Sequence, residues 1–62
     1  MKKYWYAVMR DNSDDDWGTG SYDFEEAKKM MDKEYPEEEY PERYIAVIDD
    51  SVENPVCVDE IR

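Results

Sequence analysis

Two segments of this chain have the composition of buried strands, and one segment has the periodicity of an amphipathic helix. Residues 3–10 and 43–48 are rich in aromatic and β-branched side chains and border turn-forming residues, which predicts two strands. Both strands are apolar on both faces, because neighbouring side chains in a strand point in opposite directions. One helix can cover only one face of a sheet, so the other face needs a second cover.

Alternation along the strands divides their apolar side chains into two sets. One set contains Tyr4, Tyr6, Val8, Ile45, Val47 and, from a short last strand, Val56 and Val58. The other set contains Trp5, Ala7, Met9, Tyr44, Ala46, Ile48 and Cys57. We expect the helix to cover one set. We expect either a second copy of the chain or the loop at residues 11–20, through Trp17, to cover the other.

The helix is predicted over residues 23–35. Asp23 can act as its N-cap, and Glu26 three residues later completes a capping-box pattern. Apolar side chains at three- and four-residue intervals form one face of this helix: Phe24, Ala27, Met30, Met31 and Tyr35. Pro36 ends the helix, because the residue before a proline avoids the helical conformation.

The remaining segments complete a single domain over residues 1–62. Residues 11–20 form an acidic loop with two glycines, and residues 36–42 form an acidic linker with two prolines and four glutamates. The order strand, helix, strand, strand predicts the α+β class, with a three-stranded sheet in one layer and one helix on one face. We expect a right-handed crossover through the helix and a hairpin between the last two strands. The position of the third strand, outside the second or between the first two, stays open.

The chain is strongly acidic, with 18 acidic residues, eight basic residues, no histidine and a formal net charge of −10. The negative charge is concentrated in residues 11–16 and 37–42. Such a field disfavours binding to the nucleic acid backbone. No apolar run approaches the roughly 20 residues that span a bilayer, and residues 1–5 lack the apolar segment of a signal peptide. We therefore expect a cytoplasmic protein.

The residue types also argue against an enzyme. Without histidine, neither a Ser/His nor a Cys/His nucleophile pair is possible, and Cys57 between two valines is predicted to be a buried apolar side chain. The acidic run that starts at Asp11 fails the EF-hand pattern, because Asp16 occupies the position of the required glycine. Residues 18–21 lack the lysine of a phosphate-binding loop. We expect no catalytic residue, no metal site and no cofactor.

Two functions from different classes remain. The first is an interaction module that binds a basic site on another protein, in its sharper form a phage-type inhibitor or nucleic-acid mimic. Its candidate partner-binding residues are Asp14, Asp15, Asp16, Trp17, Glu37, Glu38, Glu39 and Tyr40. The two acidic clusters are expected near opposite ends of the helix, about 20 Å apart. The alternative is an assembly domain that forms a homodimer through the uncovered sheet face, with charge serving only solubility.

Overall fold

A computed structural model of the chain describes residues 4–62, which form a four-stranded sheet and one helix. The strands are β1 (Tyr4–Met9), β2 (Gly20–Ser21), β3 (Tyr44–Asp49) and β4 (Val56–Ile61), and helix α1 (Phe24–Glu34) lies between β2 and β3 in the chain. The sheet order is β2-β1-β3-β4, with antiparallel neighbours throughout. The predicted α+β class is confirmed, but the sheet has four strands instead of three. Lys3, which the predicted first strand includes, lies outside the described residues.

The two long strands pair with each other in an antiparallel register that runs from Tyr4 opposite Asp49 to Met9 opposite Tyr44. The expectation of a right-handed crossover, which joins parallel strands, is therefore wrong. The reason is β2, where the chain reverses after β1 and pairs Gly20 with Ala7 before the helix begins. Helix α1 then returns the chain to the end of β1 at which Met9 lies. Since β3 starts there, with Tyr44 opposite Met9, it runs in the opposite direction to β1.

The short strand β2 lies against β1 at very close range. The backbone N–H of Val8 donates to the carbonyl oxygen of Thr19 at 2.8 Å, and a Cβ atom on Gly20 would clash with the carbonyl oxygen of Tyr6. Gly20 does not have a positive φ. Its role is therefore to allow this close approach and not an unusual backbone conformation.

Helix α1 begins and ends as the sequence predicts. The Asp23 carboxylate accepts a hydrogen bond from the backbone N–H of Glu25 at 3.0 Å, which confirms Asp23 as the N-cap. The capping box is not completed by Glu26, because the N–H of Asp23 donates to the Ser21 hydroxyl at 3.0 Å. At the other end, the N–H of Tyr35 donates to the carbonyl oxygen of Met31 at 2.8 Å.

The sheet has an apolar core on each face, and the β1 and β3 side chains in each core belong to one of the two sets derived from alternation. Alternation also assigns Val56, Val58 and Cys57 to these sets, but all three are exposed. Under α1 the core contains Val8, Ala27 and Ile45, with Tyr6, Phe24, Met30, Met31 and Tyr35 packed against it. On the opposite face it contains Ala7, Met9, Tyr44, Ala46 and Ile48, with Trp5 packed against it. The helix therefore covers Tyr6, Val8 and Ile45 of the first set through the face that its periodicity predicts.

The face opposite α1 is covered by the chain itself. The Trp5 indole N–H donates to the carbonyl oxygen of Trp17 at 2.7 Å, and the Tyr22 ring packs edge-to-face on Trp5 at 4.9 Å. The Arg62 guanidinium lies 4.4 Å from the centre of the Tyr44 ring. Of the two covers expected for this face, the structure has the loop that carries Trp17. A homodimer would have to form through another surface.

Strand β4 is an exposed edge. It pairs with β3 as the predicted hairpin and lies outside it, while α1 packs over β1, β2 and β3. All six residues of β4 are exposed, and a register shift opposite Val47 and Ile48 leaves Val58 as an extra residue. The expectation that Cys57 is buried is wrong, because β4 is the edge strand of the sheet and all of its side chains are exposed.

Ile45 tests the core beneath α1, where it is 1% exposed. Ile45→Ala should cost about 2–5 kcal/mol, close to the total of about 3–5 kcal/mol available to a domain of this size. We therefore expect most of this variant to be unfolded at 37 °C, as measured by circular dichroism and urea titration. Val58→Ala, at an exposed position, is the control and should change stability by less than about 0.5 kcal/mol. Equal urea midpoints for the two variants would contradict this core.

Candidate functional site

The antiparallel pairing of β1 and β3 brings the two acidic segments to the same end of the sheet. Residues 11–16 follow the end of β1, and residues 37–42 precede the start of β3. Since Met9 pairs with Tyr44, both segments leave the sheet from neighbouring positions. The expectation that they lie near opposite ends of α1 is wrong, because β2 separates the first segment from the helix.

An open groove of about 420 Å³ lies between the two segments and is called here the acidic groove. Residues 10–13 form one wall and residues 39–42 form the other. Asp11, Glu39 and Glu42 contribute three carboxylates, whereas Arg10 contributes one guanidinium. A surface with this excess of negative charge attracts cationic groups and repels anions.

Carboxylates also hold the first wall in shape. The Asp11 carboxylate accepts hydrogen bonds from the backbone N–H of Ser13 at 2.9 Å and from its hydroxyl at 2.6 Å. Both bonds lower the pKa of Asp11 from its usual value, and the bond from the hydroxyl has the larger effect. Asp11 therefore carries its negative charge at neutral pH while its side chain fixes the turn.

The predicted aspartate cluster is divided by the structure. Asp14 accepts a hydrogen bond from the backbone N–H of Arg10 at 3.2 Å, and its side chain is only 8% exposed. Asp15 and Asp16 are exposed but do not line the acidic groove. Trp17 lies on the face opposite α1, next to Trp5. None of the four predicted residues 14–17 lines the groove.

Two of the four predicted linker residues do line the acidic groove. These are Glu39 and Tyr40, whereas Glu37 and Glu38 are exposed outside it. The N–H groups of Glu39 and Tyr40 both donate to the carbonyl oxygen of Pro36 at 2.9 Å, and the Tyr40 ring packs edge-to-face on Tyr35 at 5.0 Å. These contacts tie the second wall to the end of α1.

Arg43 fastens the linker to the helix. Its guanidinium donates to the carbonyl oxygen of Tyr35 at 3.0 Å and lies 2.8 Å from the Asp32 carboxylate. A second nitrogen of the group lies 3.9 Å from the Glu37 carboxylate, and the Arg43 side chain is 16% exposed. Arg43 is thus a positioning residue for the wall that contains Glu39 and Tyr40.

Sequence reasoning missed Asp11 and Glu42 as groove residues, although both belong to the acidic segments that it singled out. Asp11 follows the end of β1 and Glu42 precedes the start of β3, so the two residues come together only because the strands are antiparallel. The sequence does not give the direction of that pairing.

Within residues 4–62, no three Asp, Glu, Cys or His side chains are grouped so that they could hold a metal ion. The helix within these residues, α1, has 11 residues and is too short and too polar to cross a membrane.

Comparison with models of known protein families, with curated proteins and with solved structures finds no match.

Arg43→Met tests whether Arg43 holds the linker, because it retains an aliphatic side chain and removes the hydrogen-bond donors. We expect a loss of about 1–2 kcal/mol in unfolding free energy, since the partner carboxylates are largely exposed and screened. We also expect faster amide hydrogen exchange at Glu39 and Tyr40. Lys29→Met, at an exposed position on α1, is the control. Unchanged exchange at Glu39 and Tyr40 in Arg43→Met would refute this role.

Proposed function

We propose that this protein is a small acidic interaction module, not an enzyme, and that it binds a basic surface of another protein. The convergence of residues 10–13 and 39–42 on one groove carries the proposal. Asp11 is distant in the sequence from Glu39 and Glu42, and all three residues line one concave surface. Charge complementarity of this kind increases the association rate and selects against acidic partners.

The acidic groove combines long-range attraction with a local apolar contact. The net charge of −10 attracts a cationic partner from a distance. Tyr40 offers aromatic surface within the groove, and its ring is already held against Tyr35. Aromatic residues of this type supply much of the binding energy at protein interfaces. Tyr40 is therefore the proposed anchor, and the carboxylates around it provide orientation.

The sharper form of the proposal is a phage-type inhibitor or nucleic-acid mimic that occupies a basic site. Its support is the density of exposed carboxylates at one end of the sheet, where Glu37 and Glu38 lie beside the groove walls. A spacing of about 20 Å between two separate clusters no longer supports it. A cytoplasmic location belongs to the same proposal, since an exposed free thiol such as that of Cys57 stays reduced there.

Assembly through β4 is the second candidate function. An edge strand with unpaired backbone groups can add a strand from another chain, and Val58 at 53% exposure adds apolar surface. Asp59 and the net charge of −10 oppose pairing with an identical chain. If assembly is the function, sedimentation velocity should show a concentration-dependent dimer that Val58→Lys abolishes. A protein that is monomeric at about 100 µM would exclude assembly as the function, since a specific homodimer has a dissociation constant well below this concentration.

The binding test compares two triple variants that remove the same charge. Asp11→Asn, Glu39→Gln and Glu42→Gln neutralise the acidic groove, whereas the control combines Glu26→Gln, Glu34→Gln and Glu53→Gln outside it. With a purified basic partner, first captured from the native host at low salt, we expect about tenfold weaker binding for the groove variant alone.

Salt provides the second arm of this test. Binding of the original protein should weaken steeply between about 50 and 200 mM salt, since the Debye length is about 10 Å at 0.1 M. An equal loss of affinity in both triple variants would assign the effect to overall charge and not to the groove. Binding without salt dependence would contradict an electrostatic interface altogether.

A further inference from the structure

A second concave surface lies at the opposite end of the sheet from the acidic groove, on the face that α1 does not cover. This aromatic cleft has a volume of about 300 Å³ and is lined by Trp5, Trp17, Tyr22, Ile48, Asp50 and Pro55. Both tryptophans of the chain are part of it. Trp5 and Ile48 pair across β1 and β3, and Asp50 directly follows β3, so the sheet fixes the floor of the cleft.

Contacts among the aromatic residues hold the walls of the aromatic cleft in place. The Trp5 indole N–H donates to the carbonyl oxygen of Trp17 at 2.7 Å, and the Trp5 and Tyr22 rings are 4.9 Å apart at an angle of 75°. The Tyr22 hydroxyl donates to the Asp50 carboxylate at 2.5 Å. This bond, more than burial, raises the pKa of Tyr22 above its usual value.

We propose that the aromatic cleft binds an organic cation, presented as a lysine or arginine side chain of the partner protein. The faces of tryptophan and tyrosine rings carry partial negative charge and attract a cation within about 6 Å of the ring centre. Three such rings and a carboxylate converge here. A carboxylate has lone pairs on two oxygens, so the hydrogen bond from Tyr22 leaves Asp50 able to accept one from a cationic donor.

The size and lining of the aromatic cleft favour a single long side chain as the occupant. Ligand pockets usually measure about 300–1,000 Å³, so this cleft is at the lower limit and suits one side chain better than a cofactor. Ile48 and Pro55 add apolar lining that matches the methylene stem of lysine or arginine. The identity of the cation as part of a protein rests on the proposed function, whereas its chemistry rests on the cleft alone.

The experiment measures small probes by NMR and needs no partner protein. The two indole N–H resonances of ¹⁵N-labelled protein report on the aromatic cleft, because Trp5 and Trp17 both line it. The cationic probes are the N-acetyl methylamides of lysine and arginine, and the norleucine derivative is the neutral probe of similar length. We expect both cations to shift the indole resonances with dissociation constants at least about fivefold lower than that of norleucine.

Two other probe results would overturn the proposal. Equal dissociation constants for lysine and norleucine derivatives would show that the cleft is merely an apolar surface. Choline tests a free quaternary ammonium compound as the source of the cation. If choline bound more than tenfold tighter than both amino acid derivatives, the assignment to a protein side chain would be wrong.

Variants separate charge from shape in the aromatic cleft. Asp50→Asn keeps a carbonyl oxygen that can accept the Tyr22 hydroxyl but removes the charge, so we expect it to lose most of the preference for cations. Glu53→Gln removes the same charge from the same turn without lining the cleft, and should keep that preference. Trp17→Leu keeps the carbonyl oxygen that accepts the hydrogen bond from the Trp5 indole. We expect this variant to lose affinity for the lysine and arginine derivatives but not for the norleucine derivative.

The outcomes of these variants are independent of the acidic groove. An Asp50→Asn variant that retains the full preference for cations while its NMR spectrum stays well dispersed would overturn the proposal. Failure of the partner-binding test at the acidic groove would leave the probe measurements intact. Conversely, a cleft without cation preference would leave the salt-dependent binding at the groove untouched.

Discussion

The antiparallel pairing of β1 with β3 is the interaction on which the other features of this structure depend. It places the ends of two acidic segments side by side, and it places Trp5 next to Ile48 at the other end of the sheet. Reversing the direction of β3 would separate the walls of the acidic groove by the length of the strands, about 17 Å for six residues. Both proposed binding surfaces are therefore consequences of one strand pairing.

The second constraint is that a chain of 62 residues must cover two apolar sheet faces. Helix α1 covers one face, and the loop that carries Trp17, together with Arg62, lies against the other. Most of the apolar surface of β1 and β3 is used in this way, and within residues 4–62 the charged residues lie in the loops, on the outer face of α1, in the edge strand β4 and at Asp49, the last residue of β3. The concentration of charge in the loops follows from this division of the chain, and the excess of acidic residues there makes the loops available for binding cationic groups.

Much of the fold could be predicted from the sequence, and most of the candidate site could not. Alternation identified the β1 and β3 side chains of the two cores, and the N-cap Asp23 together with Pro36 after the helix defined the limits of α1. β2 could not be predicted, because Gly20 and Ser21 have no strand propensity and pair with β1 only through tertiary contact. Without β2 the direction of β3 is undetermined, so the acidic groove and the role of Asp11 in it were not predictable.

The most direct test of this account is the direction of β3, measured by nuclear Overhauser contacts between backbone protons of the two long strands. The account predicts contacts at both ends of an antiparallel ladder, between Tyr4 and Asp49 and between Met9 and Tyr44, with Ala7 opposite Ala46 in its middle. Contacts of Tyr4 with Tyr44 and of Met9 with Asp49 would indicate parallel strands and would contradict the account.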